Sequence, residues 1–246
     1  MLQQQKEIVQ ATVPGLQQQG EAITTEFYRT LFEENPSLFN IFNPANQQSA
    51  GQARSVAASI LAYAAHIDKL DQLGGMVNRI THKHASLEVQ PEHYPIVGDH
   101  LLRAIRTVLG EAATPAVIDA WAAAYGQLAE IMTGVEQKLY TDGREQPGGW
   151  AGYTPLKVER KVVASETITS FHLASPTAAP LPSFEPGQHP GIKAHLPESA
   201  FTQIRQYSLS KTSDGRTYRN SVKRESAPAH IAAAENGLIS NHLHVS

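Results

Sequence analysis

The sequence predicts a two-domain chain: an all-α domain over roughly residues 1–140, then a shorter antiparallel β domain over residues 155–246. Three observations carry that expectation. Up to about residue 140 the apolar residues recur at spacings of three and four, the repeat of a helix with one buried face. TDGREQPGGWAGYTP, Thr141 to Pro155, then concentrates glycine and proline, so residues 141–154 are expected to form a linker or entry loop. Beyond it come short runs of period two, separated by Pro, Gly and Asp, the spacing of a small antiparallel barrel.

The elements follow in order. Glu21 to Phe32 places Ile23, Phe27, Leu31 and Phe32 on one side of a helix. Asn35-Pro36 is a helix-start signal, because proline fits the first helical position. Ser49 to Leu70 is alanine-rich and carries Val56, Ile60 and Tyr63. Pro91 starts a helix with Val97, Leu101, Ile105 and Val108 as its stripe. Thr114-Pro115 opens the longest, with Val117, Trp121, Tyr125, Leu128, Met132 and Leu139 inward, for about six or seven helices in all. LKVERKVV, TITSFHLA, GQHPGIKAHL, IRQYSLS and TYRNSVKRE read as strands, and a last helix starts near Ser240.

Composition narrows the function classes. With 246 residues and 41% hydrophobic side chains the chain can bury a sizeable core. A net charge of −3 without long single-sign runs argues against nucleic acid or a membrane surface as partner. No cysteine is present, which excludes disulfides, cysteine-ligated zinc, iron–sulfur clusters and haem attached through C-x-x-C-H. The N-terminus lacks a signal-peptide pattern, and no apolar run reaches the roughly 20 residues of a membrane span, so a cytoplasmic location is expected.

THKHASLEVQPEHY, Thr81 to Tyr94, holds three of the eleven histidines. Helical spacing puts His84 on the line of Met76 and Ile80, pointing inward, and His82 on the line of Asn78, pointing outward. His93 is expected at the surface near the next helix start. Tyr94 lies on an apolar line, so its hydroxyl needs a partner. Glu136 follows Met132 by four and borders the buried stripe. On spacing alone, His84 is either a core-edge histidine bonded to a carbonyl or a metal ligand.

EFYRTLF, IFNPANQ, GQAR, KHASLEVQPEHYPIVGDHLL and DAWAAAYGQLAEI stand in the order and spacing of the globin domain of bacterial flavohaemoglobins. PGGWAGY, FEPGQHPGI and IRQYSLS resemble that family's junction and flavin-binding barrel, and the likeness returns in NGLISNHLH. The resemblance implies a globin fold followed by an antiparallel β-barrel of the ferredoxin-reductase-type FAD-binding domain. It makes His84 the proximal ligand of a non-covalent haem b. Tyr94 and Glu136 match the pair that hydrogen-bonds this ligand and raises its basicity. Lys83 matches a neighbouring position that influences redox potential. Tyr28 and Gln52 match the distal polar pair that stabilises bound dioxygen. Phe42 matches the aromatic residue packed on the haem, and Val56 stands where the family has leucine.

In the second domain Arg205, Gln206, Tyr207 and Ser208 match the R-x-Y-S flavin motif, where arginine suits a pyrophosphate. His189 replaces the tyrosine of PGQY and can still stack on a flavin. Asn220 and Ser221 replace apolar or small residues, and SAPAHIAAAENG replaces a glycine-rich turn. The sequence ends at Ser246, before the family's last barrel strand and its nicotinamide-binding domain. The expectation is therefore an incomplete barrel with a possible FAD site, acting with an external electron donor. The activity implied is nitric oxide dioxygenation, nitric oxide and dioxygen giving nitrate. The alternative is a haem protein that binds, stores or senses dioxygen or nitric oxide without turnover.

Overall fold

The computed structural model describes residues 1–42, 51–197, 199–227 and 236–245, excepting the side chains of 51–53. It divides into two compact units, Met1–Lys138 and Leu139–Ser246. Six α-helices are described up to Glu145: α1 (Gln3–Ala11), α2 (Val13–Glu34), α3 (Gly51–Ala65), α4 (Gly74–Ala85), α5 (His93–Leu109) and α6 (Pro115–Glu145). Asn35-Pro36 opens only a short 3-10 turn, Pro36–Asn40.

Each helix buries the face its sequence marks. In α2, Ile23, Phe27 and Leu31 are buried; in α5, Leu101 and Ile105; in α6, Ile118, Trp121 and Met132. Full burial of an aliphatic side chain of this size stabilises by about 1.5–3 kcal/mol. Polar groups inside this core are paired. The Tyr63 hydroxyl of α3 donates to the Ala124 carbonyl of α6 at 2.8 Å, and burial pushes that phenol up to about 12. His100 of α5 is buried. Its Nδ1 lies 3.0 Å from Thr30 Oγ1 and its Nε2 lies 3.0 Å from Asn35 Nδ2. Asn35 Nδ2 also donates to the Leu31 carbonyl at 3.2 Å, which fixes the amide and makes His100 Nε2 the acceptor. Sequence periodicity did not mark this histidine as a tie between α5 and the end of α2.

The second unit holds β1 (Lys157–Val163), β2 (Ile168–Ala174), β3 (Gly191–Ala194), β4 (Gln203–Gln206), β5 (Thr217–Lys223) and α7 (Leu238–Val245). Two antiparallel sheets form, β1-β2-β5 and β3-β4, and no strand pairing closes them into a barrel among the described residues. The β2–β5 register pairs Phe171 with Asn220 and Leu173 with Tyr218. Phe171, Tyr218 and Val222 are buried on the inner face, while Ser221 and Lys223 are exposed. Lys161 Nζ lies 5.5 Å above the Phe171 ring and donates to the Leu243 carbonyl of α7 at 3.3 Å.

Three expectations change. The segment expected as linker from residue 141 begins as helix, since α6 runs to Glu145 and stops only ahead of Gln146-Pro147. The alternation in β1 does not produce a buried face; all seven residues are exposed, at the edge of a sheet where β1 pairs only with β2. The strand expected in IRQYSLS ends at Gln206. No helix among the described residues is long and apolar enough to cross a membrane.

The turn after α6 depends on Gly149. A Cβ there would stand 2.3 Å from the Gly143 carbonyl oxygen, 2.8 Å from that of Gln146 and 2.9 Å from that of Arg144. Gly149→Ala is therefore expected to lower stability by about 1–3 kcal/mol. A lower urea midpoint in the fluorescence of neighbouring Trp150 would register it, and an unchanged midpoint would refute the crowding.

Candidate functional site

In the first unit, three expected residues converge. α4 carries His84 in its last turn, α5 carries Tyr94 in its first, and α6 carries Glu136. His84 Nδ1 lies 2.8 Å from Glu136 Oε1 and 3.2 Å from the Tyr94 hydroxyl. The Tyr94 hydroxyl donates to the same Oε1 at 2.7 Å. An ionised carboxylate only accepts, so both of its partners are donors. Nδ1 therefore carries the imidazole proton, and Nε2 is left with its lone pair. Among the described residues Nε2 has no hydrogen-bond partner, and the His84 side chain is 30% exposed. Such an imidazole can bind a metal with its orientation already set.

The Glu136 side chain is only 2% exposed, further inside than a residue bordering the apolar stripe. Tyr94 is buried as its apolar line requires. His82 and Lys83 are exposed in the same turn as His84. His93 is half-buried rather than free at the surface, because its Nδ1 accepts the Gln90 backbone N–H at 2.9 Å and secures the entry to α5.

A further contact sets the position of Tyr94. The Tyr125 hydroxyl of α6 donates to the Tyr94 carbonyl at 2.7 Å, and burial pushes the Tyr125 phenol well up, keeping the proton in place. The ring lies against Gly98, one turn along α5, where a Cβ would stand 2.5 Å from Tyr125 Cε1. In the sequence Tyr125 reads as one more core residue, and no local signal gives its hydroxyl this role.

Tyr28 is buried in an aromatic group. Its ring stacks on Phe32 at 5.6 Å and meets Phe42 edge-on at 6.1 Å, so Tyr28 and Phe42 are brought together. Val56 of α3 packs partly buried against the helical core. Gln52 falls in the first turn of α3, and its side chain lies outside the described residues.

In the second unit a cleft of about 370 Å³ is lined by Arg205, Gln206, Tyr207, Lys223 and Glu225 and by Gly237 to Ser240, where α7 begins. It brings three of the four motif residues to a helix N-terminus, with Lys223 paired to Glu225 at 3.1 Å beside them; Arg205 and the helix N-terminus suit a phosphate group. Burial lowers the Arg205 pKa, with Tyr207 partly offsetting it, and burial raises that of the Tyr207 phenol. Ser208 is exposed beyond the end of β4. His189 is exposed too; the flanking bonds from Tyr207 N–H to the Pro190 carbonyl, 3.2 Å, and from Leu209 N–H to that of Gln188, 3.3 Å, place it opposite Ser208.

The fold and the proximal geometry define a globin-type helical unit, followed in the same chain by a reductase-type β unit. Residues 25–132 match the Globin family. The chain is 55% identical over 241 residues to the flavohemoprotein of Deinococcus radiodurans, covering 98% of this chain and 58% of that one. It is 47% identical to the flavohemoprotein of Chromobacterium violaceum, over 98% of this chain and 59% of the relative. The crystal structure of flavohemoglobin from Malassezia yamatoensis, with bound FAD and haem, matches with a TM-score of 0.80 at 26% identity, covering 94% of this chain and 59% of that one. A Campylobacter jejuni globin matches at 37% identity and a TM-score of 0.54, over 57% of this chain and 99% of its own. The chain is thus similar to flavohemoproteins over nearly its whole length, and spans under two thirds of the length of those two relatives.

The Tyr125 contact is open to a direct test. Tyr125→Phe removes the donor from a buried carbonyl and is expected to cost about 1–3 kcal/mol. Gly98→Ala overpacks the same ring, with a cost of similar size. Because both act through one ring, the double variant should lose less than the sum in urea unfolding, and strict additivity would show that the contact does not couple them.

Proposed function

We propose that this chain acts as a haem-dependent nitric oxide dioxygenase, converting nitric oxide and dioxygen to nitrate. The observation that carries the reading is His84, with Nδ1 committed to Glu136 and Tyr94 and Nε2 without a partner. Support also comes from the flavohemoprotein relatives and from an engineered carbene transferase, a Q52V variant of a candidate nitric oxide dioxygenase from Rhodothermus marinus, that is 34% identical with a TM-score of 0.55. The donor set suits haem b: one imidazole in a helical globin core, and no cysteine for covalent attachment.

When bound, haem supplies the iron at which dioxygen is activated toward nitric oxide. His84 holds the group through Nε2. Glu136 accepts a hydrogen bond from Nδ1–H and gives the imidazole anionic character, which would strengthen donation through Nε2. Tyr94 donates to the same carboxylate oxygen, keeping that charge fixed and the ring oriented. Lys83 sits beside this group and tunes its potential. Tyr28, and by the family likeness Gln52, would hydrogen-bond the dioxygen held there, and Phe42 would pack against the group. In the second unit Arg205 and the start of α7 would hold the FAD pyrophosphate, and Tyr207, His189, Gln206 and Ser208 would contact the flavin. Electrons come from a donor outside residues 1–246.

The first test is the absorption spectrum of the purified chain, which should show haem and flavin together. His84→Ala should lose the haem bands while the chain stays folded. Stopped-flow mixing of the reduced, dioxygen-equilibrated protein with nitric oxide should then yield nitrate, and Glu136→Gln should slow that step about 10–100-fold. Tight dioxygen binding without nitrate would replace the enzyme reading with a gas-binding protein.

A further inference from the structure

After Gln206 the backbone leaves the β3–β4 sheet and crosses to β5. Its amides are bonded in sequence: Tyr207 N–H to the Pro190 carbonyl at 3.2 Å, Leu209 N–H to that of Gln188 at 3.3 Å, and Ser210 N–H to that of Arg219 at 2.8 Å. Leu209 forms an isolated bridge with Asn220. Between these points, one side chain takes the carbonyls of Tyr207 and Ser208: Asn220 Nδ2 donates to them at 3.0 and 3.1 Å. Carbonyl oxygens only accept, so the amide orientation is determined. Asn220 Oδ1 then faces the interior, where it has no partner among the described residues, and the side chain is fully buried.

A buried amide oxygen without a donor is costly, and an apolar side chain in the same place would carry no such cost. The family resemblance leads one to expect an apolar or small residue here, and filling the space beside Phe171 requires only volume. What leucine would not supply is two donors at the point where the chain switches sheets. That point is the backbone of Tyr207 and Ser208.

We propose that Asn220 is the positioning residue of the flavin segment: by clamping the Tyr207 and Ser208 carbonyls with one amide, it sets the backbone that presents these two side chains to FAD. The role rests on the flavin-binding reading above. Asn220 acts through the segment and does not contact the flavin.

Tyr-Ser occurs once in the sequence, at 207–208. In the full chain, ¹³C-carbonyl tyrosine with ¹⁵N-serine therefore marks the Tyr207 carbonyl alone, in the absence of any flavin. N220L, matched in the number of side-chain heavy atoms, bulkier and without donors, is expected to move that carbonyl resonance upfield. It should also weaken FAD binding, followed by flavin fluorescence quenching, about tenfold or more, with the haem spectrum unchanged. If N220L fails to fold, N220A removes the same donors without crowding and takes the same two measurements. An unmoved resonance, or equal FAD affinity in a folded variant, overturns the proposal. Absence of FAD binding by the unaltered chain overturns the flavin reading itself and the positioning role with it. An intact wild-type affinity that survives the substitution removes only the role of Asn220.

Discussion

The first unit depends on one buried carboxylate. Glu136 is 2% exposed, and an ion at that depth is tolerable only with donors aimed at it. Two are, the His84 imidazole and the Tyr94 phenol, both reaching Oε1. A hydrogen bond to a charged group contributes about 1.5–3 kcal/mol, enough for the three groups to fix one another. The consequences extend through the helices. α4 must end so that His84 faces α6; α5 must begin at the height of Tyr94; α6 must reach past Glu136 without a break. Gly98 and Tyr125 lock the last two helices at that height, through a ring contact and a carbonyl bond.

The same arrangement explains why the histidine is useful. A lone imidazole on a helix exchanges tautomers and rotates. With Nδ1 bonded to an acceptor that never donates, the proton has one place and the lone pair another. Orientation is settled before any ligand arrives, so little is lost on binding. Helix ends supply the entry geometry. His93 takes the Gln90 N–H, and the turn carrying Tyr94 enters α5 at a fixed angle. A histidine that reads as a plain surface residue is part of the frame.

Much of this is legible in the sequence, for a physical reason. The period of a helix states which residues share a face, so the inward His84, the outward His82 and the apolar line of Tyr94 follow from spacing. Spacing does not state which faces meet. That His84, Tyr94 and Glu136 share one oxygen is a tertiary fact, 52 residues apart in the chain for the longest link, and only family likeness anticipates it. Tyr125 and His100 are hidden for the same reason, since each sits on an apolar stripe and its polar atom acts across to another helix. The β unit is less legible. Alternation in β1 states that a face exists and not that anything covers it, and all seven residues stand exposed. IRQYSLS reads as one strand, yet its second half crosses to β5 by a side-chain clamp that has no periodic signature.

Unpartnered polar atoms occur in both units and mean different things. His84 Nε2 is reachable, on a side chain 30% exposed, and its lone pair is left over after a strong bond on the other ring nitrogen. Asn220 Oδ1 is sealed, on a residue 0% exposed, and is left over because its amide nitrogen is committed twice. A reachable unpartnered atom marks the position of a ligand; a sealed one marks a cost borne for the bonds made by its neighbour. Treating the second as a binding site would look for a ligand where none can enter. In the first unit the bonded nitrogen leaves its ring partner open to approach. In the second the twice-bonded amide holds a stretch of backbone still.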